Sequence, residues 1–198
     1  MKNKKPIFIA EVKTQSPYGF AAKDSWFELL QIADKVGDWI SIHTNPLWGG
    51  SFEAISLAKK ITNKPILAKG LHTTDDDVKR ALDHGADYVL VVDRVPSSFN
   101  LDTSKVIMEL PAKIIIGLLN GNADYRKNFK YCYNLRSLKT GLLHKASQLD
   151  EVTKVVKEAG GWICQASGIH HRNMIHSDVN AFIVGEHLRE FYKPKRYY

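Results

Sequence analysis

Glu11 and Lys13 stand two residues apart at the end of a run, residues 6–12, that is otherwise apolar. On a strand, positions two apart point to the same side, so an acid and a base would sit together. An unpaired ion in a buried run is costly. The pair is therefore a structural ion pair or the floor of an active site, and the two residues alone leave both open. Lys69 ends a second apolar run, residues 65–69. Lysine is rarely buried unless it is paired or functional.

Such groups need elements that bring strand ends together. Apolar, strand-like runs recur at residues 6–12, 39–43, 65–69, 88–92, 113–119, 131–134, 162–165 and 181–184. Between them lie amphipathic, helix-like segments. Asp24-Ser25 can cap a helix running to Val36, and residues 51–61 form the next. Thr74 can cap a third, with Asp75, Asp76 and Asp77 where the helix dipole favours acids. Residues 101–110 read as a short helix stopped by Pro111, 120–130 as a weak one, and 147–159 as a clear one capped by Ser147. Residues 173–179 are a short connection, and 186–191 the last helix. Eight strands alternating with helices predict a parallel sheet with right-handed crossovers. The expected fold is α/β, a compact (β/α)8 TIM barrel with abbreviated helices, formed by residues 1–198 as a single domain. In that fold, chemistry belongs at the carboxyl ends of the strands. Those ends carry Glu11 and Lys13, His43 and Thr44, Lys69, Asp93 and Arg94, Asn120, Asn134 and Arg136, Ser167, and Gly185.

Composition narrows the partners. With 198 residues, 44% of them hydrophobic, the chain can bury one full core. No apolar run approaches a membrane span, and the basic start lacks a signal-peptide pattern, so a cytoplasmic protein is expected. Cys132 and Cys164 lie far apart, with no CxxC, and read as buried small hydrophobes. The net charge of +7 is spread along the chain apart from its ends, and no nucleic-acid motif accompanies it. A small phosphorylated substrate fits that charge, and no metal or other cofactor is expected. His170 and His171 have no third ligand beside them and read as a solvated loop. The tail from Lys193 reads as a frayed end.

Taken in order, these segments resemble the indole-3-glycerol phosphate synthase family, from Ile7 to about Glu190. Glu11-Val12-Lys13 with Ser16-Pro17 resembles its first-strand motif, Glu-x-Lys-x-x-Ser-Pro. Ile40 to Thr44 with Trp48-Gly49-Gly50-Ser51 is similar to its second strand and loop. Pro65 to Lys69 resembles the third strand, which ends in a catalytic lysine. Gly85-Ala86-Asp87-Tyr88 resembles the entry to the fourth, and Asn134-Leu135-Arg136-Ser137-Leu138 its Asn-x-Arg-Asp-Leu. Ser167-Gly168-Ile169 and Asn180 to Glu186 are similar to the last two strand ends.

The resemblance implies a carbon–carbon lyase of tryptophan biosynthesis. The family closes the indole ring of a carboxyphenylamino-deoxyribulose 5-phosphate with loss of carbon dioxide and water, and needs no cofactor. Lys69 would be the general acid. Lys13, paired with Glu11, would hold the substrate carboxylate and share in proton transfer. Asn134 would hydrogen-bond the reacting centre. Ser16, Ser167, Gly168 and Gly185 would bind phosphate, with Trp48, Arg136 and Glu186 completing the substrate site. Both lysine roles imply pKa values lowered by burial or by each other.

The chain also departs from the family. With residues 113–119 as the fifth strand, the family's fifth-strand glutamate is missing. The glutamate before Ser-Gly-Ile is replaced by Ala166, the aspartate after the catalytic lysine by Gly70, and the aromatic after that by Leu71. The family's N-terminal helical extension has no counterpart. Loss of two acid–base groups, each typically contributing about 10²–10⁴-fold, implies weak turnover unless another group substitutes. Asp93 is the candidate substitute; the plainer reading pairs it with Arg94 or a nearby lysine. Two alternatives stand beside the synthase reading. One is an impaired barrel that only binds phosphate or another anion. The other is a different sugar-phosphate isomerase or lyase, such as phosphoribosylanthranilate isomerase, which carries a cysteine where Glu11-Val12-Lys13 stands here.

Overall fold

The computed structural model describes residues 5–96, 101–121 and 129–192. Eight parallel strands close into a barrel in sequence order, with the eighth paired to the first. They are β1 (Ile7–Val12), β2 (Trp39–His43), β3 (Ile66–Lys69), β4 (Tyr88–Val92), β5 (Val106–Glu109), β6 (Lys130–Asn134), β7 (Trp162–Ala166) and β8 (Ala181–Val184). The outer helices are α1 (Trp26–Val36), α2 (Phe52–Lys59), α3 (Asp75–Asp83), α4 (Ala112–Gly121), α5 (Ala146–Glu158) and α6 (Leu188–Tyr192). Ser25 with Glu28, and Thr74 with Asp77, form reciprocal capping boxes at α1 and α3. Among the described residues, no helix is long and apolar enough to cross a membrane.

Side-chain alternation sorts each strand into two faces. One face packs outward on the helices, as Phe8, Ala10, Ile40, Ile42 and Ala68 do. The other fills the barrel, with Ile9, Leu67, Leu90, Ile107, Cys132, Cys164 and Ile183 in its middle. Cys132 and Cys164 are free, buried and in register. Below them Trp39 stacks on Tyr88 at 4.3 Å and lies 6.4 Å from Trp162, which makes an aromatic floor.

At this lower end, backbone donors of strand starts find side-chain acceptors from the residue that opens a neighbouring strand. Asp38 accepts from the Phe8 amide at 2.8 Å, Asp87 from Ile66 at 2.7 Å, and Asn180 from Ile163 at 2.9 Å. A buried amide without a partner is costly, so short polar residues at these three places tie β1 to β2, β3 to β4 and β7 to β8.

The fifth unit differs from the sequence expectation. Residues 106–109 form β5, and the apolar stretch after Pro111 is helix α4, not a strand. Pro111 starts this helix: its carbonyl accepts from the Ile115 amide at 3.1 Å. Ile115 and Leu119, four apart, are buried, while Ile114 is 48% exposed, which is a helical stripe. A short run such as Val-Ile-Met-Glu reads equally as either element. Elsewhere the changes are small. Ser147 lies inside α5, whose capping position is Lys145, and the connection after β7 is a 3-10 turn at Arg172–Met174. The weak helix expected from residue 120 falls largely, and the basic tail from residue 193 entirely, outside the described residues.

Replacing Asn180 with alanine is expected to strand the Ile163 amide. The expected cost is about 1–3 kcal/mol, read as a lower denaturation midpoint with the unfolding slope unchanged.

Candidate functional site

The inward face of each strand delivers one residue to the upper rim. In order these are Glu11, His43, Lys69, Val92, Glu109, Asn134 and Ala166, with Gly185 just past β8. Glu11 is the hub. Its side chain is 4% exposed, and Oε1 accepts from Lys69 Nζ at 2.9 Å. His43 Nε2 lies 3.0 Å from the same oxygen, and Lys13 Nζ 4.0 Å from Oε2. Gly185 makes room for this carboxylate, since a Cβ there would lie 2.0 Å from Oε2.

Lys13 Nζ also contacts Glu186 Oε1 at 3.0 Å, and Arg136 Nη2 donates to Glu186 Oε2 at 3.3 Å. One carboxylate thus bridges two cations at the cleft mouth. Across the rim, Asn134 Nδ2 donates to Glu109 Oε1 at 2.8 Å. Glu109 Oε2 is buried without a hydrogen-bond partner among the described residues.

The two carboxylates are driven in opposite directions. Burial alone would raise Glu11, but Lys69, Lys13 and His43 hold it well below the usual carboxylate range. Burial dominates at Glu109 and raises its pKa against the pull of Lys69 and Asn134. Lys69 departs from the expectation of a lowered lysine. Its burial is outweighed by Glu11 and Glu109, which push it above the ordinary value. It is therefore an ammonium, able to donate a proton and not to take one. Burial also lowers His43 to about 4, against the opposing pull of Glu11.

Glu11, Lys13, Trp48, Lys69, Asn134, Arg136, Ser167, Gly168, Gly185 and Glu186 line one cleft. An apolar branch runs from it between Trp48, Leu71, Leu90, Val92 and Leu138. The loops after β1 and β6 clasp across the mouth, where Tyr18 donates to the Leu138 carbonyl at 2.6 Å.

Two expected residues lie elsewhere. Ser16 accepts from the Tyr18 amide at 3.3 Å and shapes the loop after β1 without lining the cleft. Asp93 is exposed, with φ of 53°, on a neighbouring cavity that it shares with Glu109, Lys113 and His144. Arg94 pairs with Asp75 at 2.6 Å instead. The expectation that the fifth strand lacks a carboxylate is wrong: Glu109 ends β5 and faces the rim. Ala166 does leave the seventh strand without one. His170 is half-buried and stacks on His187 at 3.8 Å, and no group of three metal-ligating side chains occurs among the described residues.

No protein-family model matches the sequence. Curated relatives do. The chain is 28% identical to the indole-3-glycerol phosphate synthase of Campylobacter fetus, over 95% of this chain and 78% of that protein. It is 27% identical to the tryptophan biosynthesis protein TrpCF of Buchnera aphidicola from Diuraphis noxia, again over 95% of this chain but only 44% of that protein. Over most of its length the chain is thus similar, at low identity, to indole-3-glycerol phosphate synthases. Among solved structures, the citrate synthase SbnG aligns with a TM-score of 0.63 at 13% identity, over 94% of this chain and 89% of that one. KGPDC from Streptococcus mutans aligns at 0.52 and 12%, over 96% and 98%. At such identities these two likenesses concern the barrel alone.

The rim residues absent from the expected site are Glu109 and His43. Glu109 was hidden by the misplaced fifth strand. His43 was visible as a strand end, and its inward direction follows from pairing beside Lys69.

The site predicts how stability depends on acid. His43 titrates near 6.5 when unfolded and about 4 when folded. Between those values the unfolded chain binds the extra proton, so stability is complete above pH 6.5 and falls toward pH 4, by about 3 kcal/mol in all. Glu11 adds a loss that begins below pH 4.5. Glu109, with its raised pKa, works in the opposite sense. The wild-type minus His43→Leu difference in unfolding free energy should therefore shrink from pH 7 to pH 4, as read by denaturant titration at each pH.

Proposed function

We propose that the protein is an indole-3-glycerol phosphate synthase, closing the indole ring of a carboxyphenylamino-deoxyribulose 5-phosphate with loss of carbon dioxide and water. The observation that carries this reading is a buried ammonium, Lys69, on the rim between one carboxylate held ionised and another whose pKa is raised. Titratable groups pushed apart in this way divide acid from base roles.

In the proposed mechanism the ring carbon bearing the carboxylate attacks the ketone, and Lys69 gives its proton to the ketone oxygen. The carboxylate leaves as carbon dioxide, and its electron pair restores the aromatic ring. The hydroxyl just formed then takes a second proton, from the Lys13 ammonium, and departs as water; the two lysines regain their protons from Glu109, once it has taken one up, and from solvent. Glu109, ionised, removes a proton from the adjacent carbon to complete the indole. Asn134 keeps Glu109 in place, and Glu11 keeps Lys69 charged and aimed. Lys13 holds the substrate carboxylate. Trp48, Leu71 and Leu138 wall the apolar branch that suits the aromatic ring.

Arg136, with Ser167, Gly168 and Gly185 around the mouth, would take the phosphate. Glu186 already bridges Arg136 and Lys13, so an entering phosphate must displace its carboxylate. Glu186→Gln is expected to bind inorganic phosphate about tenfold more tightly, a difference of roughly 1.4 kcal/mol, by calorimetric titration.

A second reading, a barrel that binds without turnover, is favoured by Ala166 in the seventh position. Indole fluorescence during ring closure separates the two. Wild type is expected to turn over, and Lys69→Met and Glu109→Gln to lose about 10²–10⁴-fold in kcat, with Asp93→Asn close to wild type. Phosphate binding without wild-type ring closure would favour the second reading.

A further inference from the structure

His43 touches the hub of the site, yet the reaction steps above leave it unused. It is the last inward residue of β2 and pairs in register with Lys69. Its side chain is 6% exposed, and Nε2 lies 3.0 Å from Glu11 Oε1, the oxygen that also receives Lys69. Neither ring nitrogen has a well-aligned hydrogen-bond partner among the described residues. The ring stacks on Trp48 with centroids 5.4 Å apart and planes within 2°. The loop that carries Trp48 lies directly on this residue: a Cβ at Gly50 would sit 1.9 Å from the His43 carbonyl oxygen. His43 also lines the apolar branch beside Lys69 and Leu138.

We propose that His43 is a positioning residue of the reacting centre, whose imidazole fixes the Glu11 carboxylate against Lys69 and sets the plane of Trp48 over the aromatic site. The inference rests on the reading of Glu11 and Lys69 as reacting groups.

Three observations carry the proposal. A carboxylate with one strong donor can still rotate about its terminal bond; a second contact on the same oxygen removes that freedom. A neutral imidazole supplies the contact as an N–H donor without adding a third positive charge beside Lys69 and Lys13, the two cations that face it. A parallel stack at this distance also holds Trp48 in one plane, so the aromatic wall and the acid group are fixed by the same ring. Catalytic geometry is sensitive at this scale, since a misplacement of about 1 Å can cost ~10²-fold in rate.

Two variants and one spectrum test this. His43→Gln keeps an amide N–H near the position of Nε2, and His43→Leu keeps bulk without polarity. His43→Leu is expected to lower kcat about 10- to 100-fold with KM within about threefold, and His43→Gln to recover most of that loss. Both variants should keep the wild-type circular dichroism. Wild-type kcat in His43→Leu would overturn the proposal, as would equal loss in both folded variants. Nitrogen-15 spectra of the resting protein read the contact without turnover, with His43 assigned by its absence in the variants. The Nε2–H tautomer is expected, and its shift should change in Glu11→Gln. An Nδ1–H tautomer, or no response to Glu11→Gln, would overturn the hold on Glu11. Absence of ring closure in wild type would instead sink the synthase reading, and the spectrum would still decide the contact.

Discussion

The upper rim of the barrel is organised by one buried negative charge. Glu11 is the common partner of Lys69, His43 and, at longer range, Lys13. Remove it, and Lys69 becomes a buried ammonium whose remaining carboxylate neighbour, Glu109, has a pKa raised by burial. Breaking a buried pair by removing one partner typically costs about 3–5 kcal/mol, because the other charge is left without compensation. The same argument explains Gly185. The chain after β8 passes so close to this carboxylate that a side chain there would occupy its space.

That arrangement divides labour between two acids of similar chemistry. Glu11 meets cations on both oxygens and stays ionised, so it anchors. Glu109 has one neutral donor and, among the described residues, no hydrogen-bond partner on its other oxygen, and burial raises its pKa, so it is the better placed of the two to take up a proton. Lysines crowded together would lower each other's pKa, and that was the reasonable expectation from Lys13 and Lys69 alone. The outcome is reversed because carboxylates, not ammonium groups, are the nearest neighbours of Lys69.

Much of this was legible in the chain, and the exceptions have physical causes. Glu11 announced itself as a charge in an apolar run, and Lys69 as a strand-ending lysine. Asn134 and Arg136 followed from the order of the segments. Glu109 did not, because Val106 to Met108 is too short to show a period, while residues 113–119 are rich in the isoleucine that strands favour. Only burial of Ile115 and Leu119 against exposure of Ile114 exposes the helical stripe. Once β5 moves back, Glu109 falls at the rim and the need for Asp93 as a substitute disappears. Ser16 failed for a different reason. Its place in the loop after β1 was right, but its hydroxyl serves the turn at Tyr18, which a linear pattern does not reveal.

The remaining departure, Ala166, is best understood through charge balance. Three cations, Lys13, Lys69 and Arg136, face three carboxylates, Glu11, Glu109 and Glu186. Another acid from β7 would tip this set negative before any substrate arrived. The proposed substrate itself carries a carboxylate and a phosphate, and both must draw on the same cations. With alanine on β7 and Glu186 already spanning Lys13 and Arg136, the resting site is balanced and its mouth is occupied by a carboxylate that an incoming anion can replace. The cations are thereby kept in place without a ligand, at the cost of a competitor for the phosphate end of the substrate. In the proposed reaction, affinity at that end would be set by Glu186, and proton transfer at the other end by Lys69, held by Glu11, and by Glu109. The two halves of the cleft meet at Lys13, which touches both systems.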